Sequence, residues 1–501
     1  MPSFVGYIAR YAPSLTCKNN LSPATPALTF FVEWGLYFYG SLSYPKLIDM
    51  NKSDLIIIGA GPGGYETAYE AGKAGLNVTL FEGAELGGTC LNEGCIPTKC
   101  LVRNAEIVSQ FKNAEAFGID DFTFTLDFDK VMERKNKVVE TLRAGVEQMM
   151  KMAKVNVVKG FAKFTDPNTV ECDGESYTAD NFIIATGSVS KALPIPGADL
   201  DCVMDSTDIL SIDHIPESLT IIGGGVIGME FAGIFSALGS KVTVIEFMKQ
   251  ILPPFDADIA KRLKAALTKQ GIKIITGAAA TSIEQNDEYQ CVVHYKVKEK
   301  EEEVVSSDLL MAVGRAPRLD TCGLDNAGVQ YTRRGIEVDG WMRTNVPHIF
   351  AIGDCNARIM LAHVASFQGQ HALNAILGKE DDIDFNVVPT AVFTTPECGM
   401  VGLTEAQCKE KGMEIMIGQS FFRANGKSLA MGEPDGLVKL IFDKVSGCLV
   451  GAHIMGVQAA DLAQQCADMM SAGVTRDKML DIIFGHPTVS EVLMSAARNV
   501  K

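Results

Sequence analysis

The sequence predicts an α/β protein that contains two Rossmann-like dinucleotide-binding domains, and three observations support this prediction. The chain has 501 residues, beyond the roughly 250–300 residues at which a single hydrophobic core stops growing. Its composition, 47% hydrophobic and 21% charged, is that of an ordinary folded protein. Two glycine-rich segments, beginning at Gly59 and Gly223, each lie between a strand pattern and a helix pattern. We therefore expect a multidomain protein with a repeated nucleotide-binding unit.

Charge and cysteine content exclude several classes of protein. The formal net charge is −16 and no block of Lys and Arg stands out, so nucleic acid is not an expected partner. The thirteen cysteines are an odd number and are scattered along the chain without an even framework. This pattern indicates reduced thiols rather than the disulfides of a secreted protein.

Residues 1–49 differ from the rest of the chain. Their aromatic-rich run, from Phe30 to Phe38, is interrupted by Glu33 and is shorter than the roughly 20 apolar residues of a membrane-spanning helix. We expect an upstream extension that is not part of the fold, with Met50 as the true start and no membrane contact. A targeting segment is the alternative. The expected location is the cytoplasm, as in bacteria, or the mitochondrial matrix if 1–49 is a targeting segment.

The first glycine-rich segment has the order strand, glycine loop, helix, strand, acid. A strand pattern at 55–58 leads into Gly59, Gly61 and Gly64, and a helix pattern follows as far as Gly75. The three glycines allow a tight turn, close approach of a pyrophosphate and close helix–strand packing, respectively. Glu82, at the end of the next strand, is placed to accept the hydroxyls of a ribose.

The second segment repeats this order. A strand pattern at 219–222 leads into Gly223, Gly225 and Gly228, and the next strand pattern ends at Glu246. A carboxylate at this position repels a 2′-phosphate. The next two residues, Phe247 and Met248, supply no arginine, and the next basic residue is Lys249. The sequence therefore favours NAD over NADP at the second site.

A cysteine pair follows the first motif within the glycine-rich segment 87–99. Cys90 and Cys95 have four residues between them, a gap that can close as a disulfide across one helical turn, and a helix N-terminus after them would stabilise a thiolate. No second ligand pair of the kind that structural zinc requires is present in the sequence, so we expect no metal. Two unrelated buried thiols are the simpler alternative.

The segment 87–99, Gly-Gly-Thr-Cys-Leu-Asn-Glu-Gly-Cys-Ile-Pro-Thr-Lys, resembles the active-site signature of the class I pyridine nucleotide-disulfide oxidoreductases, in particular the dihydrolipoamide dehydrogenases. The resemblance continues to the end of the chain. It includes the segments 185–188, 312–315, 344–354, 395–397 and 486–491.

This resemblance implies the domain order. It places an FAD-binding domain in two pieces, 50–190 and 318–386, around an NAD-binding domain at 191–317. An α+β C-terminal dimerisation domain at 387–501 would then build a homodimer.

The resemblance also implies a role for individual residues. Cys90 would exchange disulfides with the substrate, Cys95 would face the flavin, and Lys99 would lie near the flavin, paired with Glu230. His486 of the opposite subunit would move protons, held by Glu491. The residues implied for FAD are Gly59, Gly61, Gly64, Glu82, Lys99, Thr186, Gly187, Asp354 and Ala362. Those implied for NAD are Gly223, Gly225, Gly228, Glu246 and Gly314.

Simpler interpretations of these residues stay open. Thr488 and Glu491 precede an apolar helix pattern with the spacing of a capping box, in which Glu491 binds only backbone. His486, Lys99 and Glu230 are each compatible with a structural role. Phe484 stands where many dihydrolipoamide dehydrogenases have a second histidine.

We therefore expect a flavoprotein that oxidises protein-bound dihydrolipoamide through a Cys90–Cys95 disulfide and FAD, with NAD⁺ as the final acceptor. The expected partners are the lipoyl domains and acyltransferase core of a 2-oxo acid dehydrogenase complex, or a glycine cleavage protein. One alternative is an NAD(P)H-dependent reductase of another disulfide or electrophile. The other is a redox-inactive flavin-binding interaction protein.

Overall fold

The computed structural model describes residues 51–121 and 123–501. The extension expected at 1–49 lies outside these residues. Within them, no helix is both long enough and apolar enough to cross a membrane.

The first part of the chain forms a mostly parallel sheet with helices against it. Its strands are ordered β3-β2-β1-β6-β5-β4, and a later strand, β19 (Ile349–Ala351), pairs with β6. The elements of this part are β1 (Asn51–Ile58), α1 (Pro62–Lys73), β2 (Val78–Glu82), α2 (Gly88–Glu93), α3 (Cys95–Lys112), α4 (Phe128–Met152), β3 (Asn156–Lys159), β4 (Lys163–Asp166), β5 (Thr169–Cys172), β6 (Glu175–Ile184) and β7 (Ser188–Ser190).

The central strand β1 has a continuous run of apolar residues because it packs on both faces of the sheet. Leu55 and Ile57 belong to one hydrophobic cluster, whereas Ile56 and Ile58 belong to another. Because alternate residues of a strand point to opposite faces, both faces of the sheet are buried.

The second part repeats the arrangement. Its parallel strands are ordered β11-β10-β9-β15-β8, with a separate antiparallel sheet β12-β13-β14. The elements are β8 (Val203–Met204), β9 (Ser218–Ile222), α5 (Val226–Leu238), β10 (Lys241–Glu246), α6 (Ala257–Lys269), β11 (Lys273–Thr276), β12 (Ala278–Gln285), β13 (Cys291–Val297), β14 (Lys300–Ser306), β15 (Asp308–Met311) and β16 (Arg315–Pro317). Strand β16 pairs with β7, so a short ribbon connects the two repeated units.

The chain then returns to the first sheet before it forms a third unit. The returning elements are β17 (Tyr331–Thr332), β18 (Gly335–Ile336), β19 (Ile349–Ala351) and α7 (Ala362–Ile376). The third unit has an antiparallel sheet ordered β20-β21-β24-β23-β22. Its elements are β20 (Thr390–Val392), β21 (Cys398–Gly402), α8 (Glu405–Glu410), β22 (Ile415–Phe421), α9 (Gly426–Ala430), β23 (Leu437–Asp443), β24 (Leu449–Met455), α10 (Ala459–Ser471), α11 (Arg476–Leu480) and α12 (Glu491–Arg498).

The predicted fold class, two Rossmann-like units and a C-terminal α+β unit, is confirmed. The strand predicted to end at Glu82 is β2, and the one predicted to end at Glu246 is β10. The domain boundaries given above stay predictions.

Helices α3 and α5 join the two nucleotide-binding units. Leu101 and Ala105 of α3 belong to the same hydrophobic cluster as Met229 and Phe235 of α5. Burial of this shared apolar surface fixes the two helices against each other.

A buried ion cluster connects the second unit with the third. Lys439 of β23 is 2% exposed, and its Nζ lies 3.0 Å from Asp256, 2.9 Å from Asp258 and 2.6 Å from Glu405. Burial opposes the ammonium form, but the hydrogen bonds to these three carboxylates outweigh it and raise the pKa of Lys439. This ammonium therefore neutralises carboxylates that would otherwise repel one another.

Replacement of this lysine tests the cluster. Because Lys439→Met leaves carboxylates without their cation, including the buried Asp256, we expect it to lower the free energy of unfolding by about 3–5 kcal/mol. The matched control is Lys444→Met, which removes an exposed pair with Glu414 and should cost less than about 1 kcal/mol. The measurement is the urea midpoint of each variant followed by fluorescence. Equal urea midpoints for Lys439→Met and Lys444→Met would show that the buried cluster stabilises the fold no more than an exposed ion pair does.

Candidate active site

The two glycine loops have nearly the same geometry. Gly59 and Gly223 have positive φ angles of 104° and 117°, and a Cβ on either one would lie 2.3 Å from a carbonyl oxygen of a neighbouring strand end. Only glycine is compatible with both conditions. In contrast, a Cβ on Gly61 or Gly225 would meet nothing within 4 Å. The open side of each loop therefore faces a free volume at a helix N-terminus, which suits an anionic ligand.

The acidic residues at the two strand ends, Glu82 and Glu246, accept hydrogen bonds from equivalent backbone groups. Glu82 accepts hydrogen bonds from the backbone N–H groups of Ala60, at 2.7 Å, and Ala84, at 2.9 Å. Glu246 accepts from the equivalent groups of Gly224 and Met248. Each carboxylate thus braces its own glycine loop and presents its remaining lone pairs at the place where the sequence predicts a ribose.

One continuous cavity of about 1610 Å³ connects these loops. This volume exceeds the roughly 300–1,000 Å³ of common ligand pockets. Its walls include the residues implied for FAD and for NAD. These are Gly59, Gly61, Gly64, Glu82, Thr186, Gly187, Asp354, Ala362, Gly223, Gly225, Glu246 and Gly314. Gly228 lies beneath the loop instead, because a Cβ there would be 2.0 Å from the Gly223 carbonyl oxygen.

The cysteine pair lies in this cavity, at the junction of two helices. Cys90 belongs to α2 and Cys95 is the first residue of α3, with Gly94 between the helices. The two cysteines therefore lie on two different helices rather than within one turn of a single helix. A Cβ on Gly94 would lie 2.9 Å from the Thr89 carbonyl oxygen, so this glycine permits the close turn that brings the two thiols together.

Lys99 and Glu230 form an ion pair beside the cysteines. The ammonium lies 2.9 Å from both carboxylate oxygens, and the Glu230 side chain is 5% exposed. Glu230 also accepts a hydrogen bond of 2.9 Å from the backbone N–H of Phe393, whose ring lies 4.7 Å from Lys99 Nζ. The pairing implied by the family resemblance is present, and it includes a third partner from the C-terminal unit.

The two thiols differ in their affinity for a proton. The hydrogen bond from Cys90, together with the charge of Lys99, outweighs burial and lowers the pKa of Cys95 to about 7. The same hydrogen bond and burial raise the pKa of Cys90. Cys95 is the first residue of a helix and lies one turn before Lys99, which favours its thiolate further. When the pair is reduced, the negative charge therefore resides on Cys95.

Asp354 lies at the other side of the cavity, after β19. It accepts a hydrogen bond of 2.5 Å from the hydroxyl of Ser188, which in turn accepts one of 2.7 Å from Arg315. Thr186 donates its hydroxyl to the Arg318 carbonyl oxygen at 2.9 Å. The ribbon that connects the two nucleotide-binding units therefore also positions Asp354.

His486 and Glu491 form a pair on the surface, apart from the cysteines. His486 Nδ1 lies 3.0 Å from Glu491, and the His486 side chain is 80% exposed. The other Glu491 oxygen accepts from the backbone N–H of Thr488 at 2.9 Å. Glu491 thus makes both contacts that the sequence left as alternatives, although Ser490, not Thr488, is the N-cap of α12. Neither member of the pair lines the cavity of its own chain among the described residues.

Sequence reasoning missed several residues of the site. Phe393 supplies a backbone donor, and Gln368, which is buried, accepts from the backbone N–H of Gly353 at 2.7 Å. Lys135 is a buried cavity residue whose ammonium donates to the Leu210 carbonyl oxygen. Backbone donors have no residue signature. Lys135 lies in the buried stripe of α4, four residues from both Val131 and Val139, so the sequence gives a signal for it only once the helix is placed.

Comparison with known protein families shows to which family the chain belongs. The model of the pyridine nucleotide-disulphide oxidoreductases matches residues 53–369, and that of their dimerisation domain matches 388–497. The chain therefore belongs to the pyridine nucleotide-disulfide oxidoreductases. It is a flavoprotein oxidoreductase with a dimerisation domain, and the predicted cofactors, FAD and NAD, are confirmed.

Particular relatives refine the comparison. The chain is 39% identical to a dihydrolipoyl dehydrogenase of Geobacillus stearothermophilus over 452 residues, 89% of this chain and 96% of the relative. It is 40% identical to the dihydrolipoyl dehydrogenase of Thermus scotoductus over 452 residues, 89% and 97% of the two chains. Among solved structures, the HOCl-induced flavoprotein disulfide reductase RclA from Escherichia coli is 31% identical, with a TM-score of 0.81 over 89% of this chain and 100% of the other.

Removal of the Lys99 charge should raise the pKa of Cys95. We expect Lys99→Met to shift the midpoint of Cys95 alkylation in the reduced enzyme above its value near 7, because a cation beside the thiolate is lost. Lys112→Met is the matched control, since Lys112 lies at the other end of α3 and donates to Ala237. The measurement is iodoacetamide labelling of Cys95 against pH, read by mass spectrometry. A midpoint that is the same in both variants would show that Lys99 does not stabilise the thiolate.

Proposed function

We propose that the protein is a dihydrolipoyl dehydrogenase that oxidises protein-bound dihydrolipoamide with NAD⁺ as the final acceptor. The observation that carries this proposal is the Cys90–Cys95 pair beside the Lys99–Glu230 ion pair, in a cavity that extends to both glycine loops. Relatives of that name, 39–40% identical over most of both chains, support the same reaction.

The charges at the site fit oxidation of a dithiol. In the oxidised enzyme, Cys90 and Cys95 would share a disulfide. One substrate thiolate attacks the Cys90 sulfur, and Cys95 leaves as a thiolate stabilised by Lys99. The second substrate thiolate then attacks the substrate sulfur that is bonded to Cys90. A lipoyl disulfide forms, the bond to Cys90 breaks, and Cys90 is released. The substrate loses two electrons and two protons, and the enzyme pair gains the electrons.

When bound, FAD would supply a two-electron carrier between the dithiol pair and NAD⁺. The residues that would hold FAD are the first glycine loop, Glu82, Asp354 and the start of α7, and those for NAD are the second loop and Glu246. The loop geometry fits both groups, because the positions that would face pyrophosphates, Gly61 and Gly225, have open space.

We propose that His486 accepts one proton from the substrate dithiol in the active site of the partner subunit. The support is geometric, since the imidazole is highly exposed, is oriented by Glu491, and does not line the described cavity of its own chain. Imidazole side chains commonly serve as general acids and bases in proteins. Glu491 fixes the tautomer by holding Nδ1, which leaves Nε2 to accept a proton.

The partners follow from the substrate. We propose lipoyl domains and the acyltransferase core of a 2-oxo acid dehydrogenase complex, or a glycine cleavage protein, as the proteins that present dihydrolipoamide. A cytoplasmic location is proposed with them, since the cysteines of the described residues are free thiols.

Reduction of another disulfide or electrophile is the competing function. RclA, a disulfide reductase, has the same fold, and Phe484 replaces a histidine found in many dihydrolipoamide dehydrogenases. Steady-state rates separate the two functions. We expect turnover with dihydrolipoamide and NAD⁺ to exceed NAD(P)H oxidation by glutathione disulfide, and the opposite order would favour the reductase.

The role of Cys90 is tested by a serine variant. We expect Cys90→Ser to retain FAD but to lose at least about 1000-fold in dihydrolipoamide turnover, because no mixed disulfide can form. Cys448→Ser, which removes a half-buried thiol outside the cavity, is the matched control and should keep wild-type turnover. If dihydrolipoamide does not reduce the flavin of the wild-type protein, the result favours the alternative of a redox-inactive flavin-binding protein.

Complementation tests the contribution of the partner subunit. Cys90→Ser and His486→Gln dimers should each be inactive. If they are unfolded and refolded together, half of the dimers should be hybrids, and each hybrid has one site with both an intact Cys90 and an intact His486. We expect about a quarter of wild-type turnover in the mixture. A mixture as inactive as its parents would show that His486 acts in its own chain.

A further inference from the structure

A second pair of cysteines lies in the NAD-binding unit. Cys291 is the first residue of β13 and is completely buried, whereas Cys202 precedes β8 and is partly exposed. The Cys291 sulfhydryl donates a hydrogen bond to the backbone oxygen of Cys202, at 3.6 Å. This contact brings together two cysteines that are 89 positions apart in the sequence.

This contact connects two layers of the unit. Strand β8 is at the edge of the parallel sheet, where Val203 pairs with Leu309 of β15. Strand β13 is the middle strand of the antiparallel sheet. Both thiols belong to the hydrophobic cluster between these layers, together with Leu193 and Ile195.

Both connected segments also contribute to the wall of the nucleotide cavity. Leu193, Ile195 and Ser206 flank Cys202 in the sequence and line the cavity. Ala278 and Ala280, in strand β12 that pairs with β13, line it as well. A covalent bond between the thiols would therefore join two parts of the wall.

We propose that Cys202 and Cys291 are a peroxide-oxidisable thiol pair that forms a second, reversible disulfide and ties the connector before β8 to β13. The oxidant is hydrogen peroxide. Cys202 attacks one peroxide oxygen and becomes a sulfenic acid, with release of one water. Cys291 then attacks the Cys202 sulfur, the S–O bond breaks, and a second water leaves. Two thiols lose two electrons and two protons, and peroxide becomes two waters.

The surroundings of the two thiols explain why Cys202 reacts with peroxide before Cys291 does. Cys202 is the thiol that solvent reaches. Burial, the hydrogen bond to Cys202 and the nearby Asp308 raise the pKa of Cys291 to about 12, so Cys291 is a poor first nucleophile but is in place to resolve a sulfenic acid beside it. The other completely buried thiols, such as Cys355 and Cys466, have no exposed cysteine as a neighbour among the interactions of the described residues.

Peptide mapping tests the proposal directly. Each thiol lies in a tryptic peptide that contains no other cysteine, 192–241 for Cys202 and 274–296 for Cys291, and the catalytic pair lies within 74–99. After the holoenzyme is reduced, desalted and treated with a small excess of hydrogen peroxide, we expect a 192–241/274–296 species two hydrogens lighter than its two peptides. Dithiothreitol should abolish it. The oxidised 74–99 peptide is the internal positive control.

Variants test the order of events. Cys291→Ala should prevent the cross-link and let the Cys202 sulfenic acid accumulate, so that dimedone labelling of 192–241 rises at least about fivefold over wild type. Cys202→Ser should abolish both products, and it keeps the test valid if the buried substitution prevents folding. Cys448→Ser is the control and should leave the cross-link unchanged. Sulfinic acid at Cys202 without a cross-link, or a cross-link of either peptide to another cysteine, would overturn the proposal.

Discussion

The position of the Glu230 carboxylate is the constraint on which the active site depends. This side chain is almost completely buried, and a buried carboxylate is tolerated only when it is paired and hydrogen-bonded. Its partners come from two other parts of the chain: the Lys99 ammonium from α3 and the Phe393 backbone N–H that follows β20. One ionised group therefore holds together the FAD-binding unit, the NAD-binding unit and the C-terminal unit at the place where the cysteines lie.

This arrangement links domain packing with thiol chemistry. Lys99 is held by Glu230 and by the ring of Phe393, so its ammonium has a fixed place one helical turn from Cys95. The position of α3 is in turn set by its apolar packing against α5. Stabilisation of the Cys95 thiolate is thus a consequence of how two folds pack, rather than of the cysteine motif alone.

Much of this could be predicted from the sequence, and the rest could not for identifiable reasons. The apolar run ending at Ile58, the glycine spacing and the terminal Glu82 define a nucleotide-binding unit because each depends on local geometry. Lys99 and Glu230 are 131 positions apart, so only resemblance to a family could pair them. The contribution of Phe393 is a peptide N–H, which every residue except proline has. The break at Gly94 was missed because a six-residue motif does not reveal whether one helix or two will contain it.

The surface position of His486 has a similar explanation. A proton acceptor for the substrate has to reach Cys90, yet its own chain holds this imidazole out into solvent. Glu491 accepts from both Nδ1 and the Thr488 backbone, so the exposed ring is still oriented without help from the cavity. Such pre-organisation of an exposed side chain is consistent with a group that completes its environment in a dimer, and the presence of a dimerisation domain agrees with it.

The two cysteine pairs show how surroundings, and not proximity alone, determine what a pair of thiols can do. Cys95 receives a hydrogen bond from Cys90 and has the Lys99 ammonium beside it, and together they lower the pKa of Cys95 to about 7. Cys291 has burial and the carboxylate of Asp308 instead, and both favour the protonated thiol. Rapid disulfide exchange requires a good leaving thiolate, and Cys95 meets this requirement better than Cys291 does. The hydrogen bond from Cys90 and the charge of Lys99 therefore distinguish Cys95, which suits repeated disulfide exchange, from Cys291.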